Sequence, residues 1–130
     1  MKNNKLLAQE WFKVAEDDLA YAKVGLKEDR FFSLIAFHAQ QSAEKYLKGF
    51  LVIHNIKPPR YHDLVHLIKL CQKINPDFSS LRSHADKLNP YAVDTRYPVF
   101  YPIVRKKYAE EAVTLAEDII EFIKSSQIKR

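Results

Sequence analysis

His62-Asp63-Leu64-Val65-His66 sets two imidazoles four residues apart with an acid after the first, the outline of a zinc-protease helix. That chemistry needs both rings on one helical face, a general-base carboxylate and a further ligand. Here the acid is Asp, one methylene shorter than Glu, and His62 follows Pro58-Pro59-Arg60-Tyr61. His62 therefore falls at or before the first helical turn, where positions i and i+4 need not align. The pattern suits Asp63 as the acid at a helix N-terminus, facing orphan amides and the positive dipole end, and no metal site is assigned. Arg60 and His66, with five residues between them, fit the Arg-x(4–6)-His spacing of a metal-independent ribonuclease. In such a site the Arg stabilises phosphate charge while the His moves a proton. These two are the catalytic candidates.

A second group lies on one long segment: Phe37, Gln41, Glu44 and Lys48 recur at helical spacing. Glu44 and Lys48 read equally as a surface i,i+4 pair worth ~0.2–0.5 kcal/mol or as part of a polar pocket with His62, Asp63 and Arg96. Arg96 precedes Tyr97-Pro98 in an aromatic stretch. There its planar fork can grip phosphate near a helix N-terminus, or satisfy loop carbonyls or an acid such as Asp63 or Asp94. Cys71, the single cysteine, sits on an apolar face and reads as a core thiol. No Ser/His/Asp or Cys/His arrangement and no glycosidase-type carboxylate pair is supported.

The elements that must position these groups are helices. The 130 residues contain two glycines, Gly25 and Gly49, which excludes phosphate-cradling loops, dinucleotide fingerprints and glycine-rich hairpins. Any phosphate must then be held by side chains and helix ends, which directs attention to Lys48, His62 and Arg96. Proline-free windows run over Lys5–Lys27 and Arg30–Asn55. Ala8, Phe12, Ala15, Leu19, Ala22 and Leu26 form the apolar stripe of the first, flanked by Trp11, Val14 and Tyr21, with Gly25 near its end. Phe32, Ala36, Ala39, Ala43, Tyr46 and Phe50 form that of the second, its small residues allowing close helix approach. A short turn between them predicts an antiparallel hairpin. After Pro58-Pro59, a third helix is expected over His62–Lys73 and a fourth over Ser80–Leu88, which Ser79 or Ser80 can cap. An aromatic connection follows over Asn89–Pro102, and a last helix over Ile103–Lys124. The fold class is all-α: one domain over 1–130, an up-and-down bundle of four to five helices.

The formal charge is +5, from 21 Lys and Arg against 16 Asp and Glu. That excess favours an acidic partner such as RNA, nucleotide phosphate or an acidic protein face, and its densest cluster is Arg105-Lys106-Lys107. The N-terminus lacks a signal-peptide core, no stretch approaches the ~18 apolar residues of a membrane helix, and a lone cysteine suits a reducing compartment. A cytoplasmic protein without membrane contact is expected.

Ala15-Glu16-Asp17-Asp18-Leu19, Phe37-His38-Ala39-Gln40-Gln41-Ser42-Ala43-Glu44-Lys45-Tyr46-Leu47-Lys48, His62-Asp63-Leu64 and Arg96-Tyr97-Pro98 occur in that order. Together, over about residues 8–124, they resemble the HEPN domain, the higher-eukaryote and prokaryote nucleotide-binding family. The resemblance implies a helical bundle, commonly a homodimer, encoded beside a minimal nucleotidyltransferase in a toxin–antitoxin-type pair. It implies Gln41, Lys45, Lys48, His62, Asp63, Arg96 and Tyr97 as nucleotide- or partner-binding residues, with no cofactor beyond a nucleotide ligand such as ATP. Some HEPN proteins are ribonucleases with Arg-x(4–6)-His near the last helices. Here His84 is the final histidine, no His follows Arg96, and Arg60/His66 is the pair with the required spacing. The expectation is a binding module, with a ribonuclease and a purely structural dimerisation bundle as alternatives.

Overall fold

In a computed structural model the chain is described over residues 3–92 and 103–128. Helix α1 spans Asn4–Glu28, α2 Phe32–Ile53, α3 Leu64–Gln72, α4 Arg82–Leu88 and α5 Lys106–Ile128. Short 3-10 turns cover Pro76–Leu81 and Asn89–Tyr91, and no strand occurs among the described residues. The all-α bundle and its long N-terminal hairpin are as the sequence predicts.

α1 starts at Asn3, whose side chain accepts from the amides of Lys5 and Leu6. It ends at Asp29, left-handed at φ 57°, whose N–H returns to the Leu26 carbonyl. Gly25 therefore lies inside α1 and does not end it. Phe31, also left-handed at φ 64°, precedes α2 and has no side-chain capping bond. Two positive-φ residues in three reverse the chain. A left-handed conformation at a bulky non-glycine residue costs roughly 1–2 kcal/mol, and the Phe31 side chain remains 57% exposed.

The hairpin closes on small side chains. Ala8, Ala15 and Ala22 of α1 and Ala36, Ala39 and Ala43 of α2 are fully buried. Both glycines serve the same close approach. A Cβ on Gly25 would lie 2.6 Å from Ile35 Cγ1, and one on Gly49 would lie 2.5 Å from Phe12 Cε1. The flanking row is less buried than expected: Val14 and Tyr21 are 46% and 56% exposed at the margin of the seam, where the Tyr21 ring lies edge-on 4.6 Å from His38 of α2.

On its other side α2 buries Leu47, Phe50 and Leu51 against Leu64, Leu67, Ile68 and Cys71 of α3 and Ile119, Ile120 and Ile123 of α5. Phe78 joins the layers, its ring 4.7 Å from Phe50 and 4.8 Å from Phe122. Burial pushes the Cys71 thiol up to about 12, which makes it the inert core thiol expected. α5 runs antiparallel to α1, with ion pairs from Lys106 to Asp29, Lys23 to Glu117 and Lys124 to Glu16. α3 starts at Leu64, capped by Asp63, two residues later than the expected His62. α4 starts at Arg82, since Ser79 and Ser80 lie within the 3-10 turn and Ser80 donates back to the Asp77 carbonyl.

Candidate functional site

A run of polar residues on α2 turns into the protein. Gln40, Glu44 and Lys48, one helical turn apart, are 0%, 3% and 5% exposed. Each stands about 100° around the helix from the seam residues Ala39, Ala43 and Leu47, so the row lies at the edge of the core. Buried charge persists only where it is paired and hydrogen-bonded, and here the pairing is dense. Lys48 Nζ donates to Glu44 Oε2 at 2.9 Å, and its ammonium lies 5.9 Å from the Trp11 ring centroid. Gln40 Nε2 donates to Glu44 Oε1 at 3.3 Å and to the His62 carbonyl at 3.3 Å. Gln41 Nε2 reaches Gln40 Oε1 at 2.8 Å and Glu44 Oε1 at 3.4 Å. The Glu44–Lys48 pair is thus buried, and the surface-pair reading is corrected: Trp11 of α1 flanks one end of this row and the loop at His62 the other.

His62 completes the cluster from the loop before α3. Its Nδ1 lies 2.9 Å from both Glu44 oxygens, while the side chain is 61% exposed. An ionised carboxylate only accepts, so Nδ1 carries the proton and Nε2 is the nitrogen left for a ligand. The arrangement is a carboxylate-backed imidazole, rigid behind and open in front.

Asp63, the next residue, turns away from this cluster. Its Oδ1 accepts from the amides of Val65 and His66, capping α3, and from Asn89 Nδ2 at 3.0 Å. Asn89 Oδ1 in turn accepts from the Leu64 amide at 2.7 Å, tying α3 to the end of α4. The Asn89 hydrogen bond, with those amides and against a small burial penalty, holds the Asp63 carboxyl below its ordinary range. Asp63 is the helix cap that the sequence suggested.

Lys45, about 100° around α2 from Glu44, joins a group that sequence reasoning missed. Its Nζ donates to Asp18 Oδ2 at 2.7 Å, and His38 Nδ1 lies 3.1 Å from Asp18 Oδ1. Burial pushes the Asp18 carboxyl up, but the hydrogen bonds and charges of His38 and Lys45 outweigh it and hold the group low. Lys45 also rims a shallow groove of about 280 Å³ lined by Leu7, Glu10, Trp11 and Val14. The available signal was His38 and Lys45 on one α2 face, two turns apart, opposite an acid on α1.

The structure therefore unites Gln41, Lys48 and His62 around Glu44 and separates Lys45 and Asp63 from them. Arg60 and His66 are exposed at the start of α3, where the Tyr61 ring packs edge-on against His66 at 4.9 Å. His62 and His66 do not converge, and among the described residues no group of three or more His, Cys, Asp or Glu is placed to hold a metal ion. Arg96 and Tyr97 lie outside the described residues. So does most of the aromatic connection, which leaves the described chain at Ala92, three residues beyond Asn89.

This bundle and its motifs define a family. The HEPN domain model matches residues 8–126, and the chain belongs to the HEPN domain family. The curated protein "Putative toxin MJ1304" of Methanocaldococcus jannaschii is 29% identical over 131 aligned positions, covering 90% of this chain and 86% of its own. The crystal structure of TT1696 from Thermus thermophilus superposes with a TM-score of 0.76 at 28% identity, covering 91% of this chain and 96% of that one. No described helix is long and apolar enough to cross a membrane.

Proposed function

We propose that this HEPN protein is a nucleotide- or partner-binding module that acts as a cytoplasmic homodimer with a minimal nucleotidyltransferase, in a toxin–antitoxin-type pair. The observation that carries the reading is His62: a largely exposed imidazole locked through Nδ1 onto a carboxylate that three other side chains, Gln40, Gln41 and Lys48, hold in the core. A merely structural histidine has no need of a buried Glu–Lys pair behind it. An imidazole held this way offers Nε2 to a phosphate or to a partner's polar group at little entropic cost on binding. The toxin designation of the Methanocaldococcus relative supports the paired context. Arg96 and Tyr97 supply the cation and ring for the same ligand, with ATP as the first nucleotide to try.

Calorimetric titration of the purified protein with ATP and other nucleotides tests the nucleotide half. Wild type binds, and His62→Ala and Arg96→Ala each weaken binding about tenfold or more, as expected for a charge-assisted hydrogen bond. No binding by wild type rejects it. Co-purification with a minimal nucleotidyltransferase encoded beside it tests the partner half, and light scattering the homodimer.

A second reading makes the protein a metal-independent ribonuclease using Arg60 and His66. The Tyr61–His66 contact favours it, because the loop carrying Arg60 folds back onto the exposed start of α3. RNA cleaved in the presence of chelator by wild type, and left intact by His66→Ala, is its signature.

A further inference from the structure

The end of the bundle where α1 turns into α2 carries features that the His62 cluster does not use. Phe31 occupies a position that its residue type suits badly on two counts. The backbone is left-handed, where Asn or Gly is favoured, and the site precedes a helix, where a short polar side chain would cap. Among the described residues the ring finds little to compensate: it is 57% exposed, with the Arg30 guanidinium 4.2 Å from its centroid. Local rules broken without a compensating contact point to a role outside folding.

The surroundings say what that role is. Lys106 reaches Asp29 at 2.8 Å, which draws the start of α5 beside the turn and pairs the acid two residues before the ring. Arg105-Lys106-Lys107, the densest basic cluster of the sequence, is thereby placed at this end with Lys27 and Arg30, all exposed. A second exposed ring, Tyr108, has Lys107 Nζ 4.9 Å from its centroid. Two solvent-facing rings, each beside its own cation, offer both halves of single-strand recognition. The cations meet phosphates, and the rings accept unstacked bases. A duplex hides its base faces, and an acidic protein surface uses the cations but not the rings.

We infer that the α1–α2 turn and the start of α5 form a docking surface for single-stranded nucleic acid, with Phe31 and Tyr108 as stacking platforms and Arg30, Arg105 and Lys107 as phosphate contacts. The surface is independent of the His62 site, so its success or failure leaves mononucleotide binding unaffected.

Fluorescence anisotropy at low salt, with chelator present, tests this on the full chain. The probes are a short labelled oligouridine, the matching DNA strand and a duplex of the same length, with polyglutamate as competitor. Wild type binds a single strand and prefers it to the duplex; a preference for RNA or for DNA then names the source. Phe31→Asn weakens single-strand binding at least about fivefold, within the range for loss of one stacked base, and melts no lower than wild type. Lys107→Gln lowers the slope of log affinity against log salt by about 0.7. The proposal is overturned if no strand binds at low salt, if the duplex binds equally well, or if Phe31→Asn keeps wild-type affinity. It is also overturned if Phe31→Asn melts lower, since the ring then serves the fold, or if polyglutamate binds as tightly and with the same loss in Phe31→Asn.

Discussion

At the residue scale the decisive group is Glu44, because a buried carboxylate is tolerable only while its partners remain. Lys48 is the vulnerable partner: its ammonium is buried, and among the described residues Glu44 is its one ion-pair acceptor. Glu44→Gln preserves shape but leaves that charge uncompensated, and removing one member of a buried pair costs roughly 3–5 kcal/mol. His62, largely exposed, loses far less. The combined variant Glu44→Leu with Lys48→Met removes both charges. It should recover more than about half of the loss, the remainder reflecting Gln40, whose buried amide loses one acceptor. Urea unfolding of the two variants decides it, and a double variant as unstable as the single one would refute the account. The pairing of Glu44 with Lys48 was legible as an i,i+4 spacing; its burial was not. A row at 40, 44 and 48 differs from a solvated one only by where the neighbouring helix lies, and that is a tertiary fact.

At the element scale the sequence was most legible where periodicity is long. Both helices of the hairpin were readable to within two residues at each end, because twenty-odd residues of alanine-rich stripe outweigh any local ambiguity. The short elements were less so. The 3-10 turn over Pro76–Leu81 has no periodicity of its own, and the start of α4 has no side-chain cap to announce it. At the start of the last helix the inward position falls to Ala109, fully buried, while the larger apolar ring of Tyr108 beside it is 44% exposed. Gly49 makes the packing argument testable. In isolation a helical Gly→Ala change gains about 1 kcal/mol. Here the new methyl meets the Phe12 ring at 2.5 Å and Trp11 Cβ at 3.1 Å. That ring is stacked on Tyr46 at 4.4 Å, which restricts its retreat. Overpacking of this kind costs about 1–3 kcal/mol, so Gly49→Ala should destabilise the protein despite its better propensity. A thermal melt at or above the wild-type temperature would show that the hairpin yields.

At the scale of the whole molecule, the five helices are joined by a few polar ties between elements distant in the chain, and these were invisible in the sequence because they are long-range. Asp18 ties α1 to His38 and Lys45 of α2; Asp63 ties the start of α3 to Asn89 after α4. Both carboxyls are held below their ordinary range, and this fixes the sign of their contribution. A carboxyl lowered in the folded state binds fewer protons there than in the unfolded chain, so its stabilisation is complete above the ordinary value of 3.8 and is lost as pH falls through the lowered one. The groups facing Asp18 are both cationic or can become so, and neither compensates when it is protonated. Acid should therefore weaken two interfaces over the same interval, starting below about pH 5. In a cooperative domain it should do so in one transition. Asp18→Asn mimics the protonated group at every pH. The stability gap between wild type and this variant should be widest near neutrality and narrow steadily towards pH 3, as urea melts across that range would show. A gap that stays constant with pH would mean that Asp18 acts through shape and hydrogen-bond count alone, and that its charge does not hold α1 to α2.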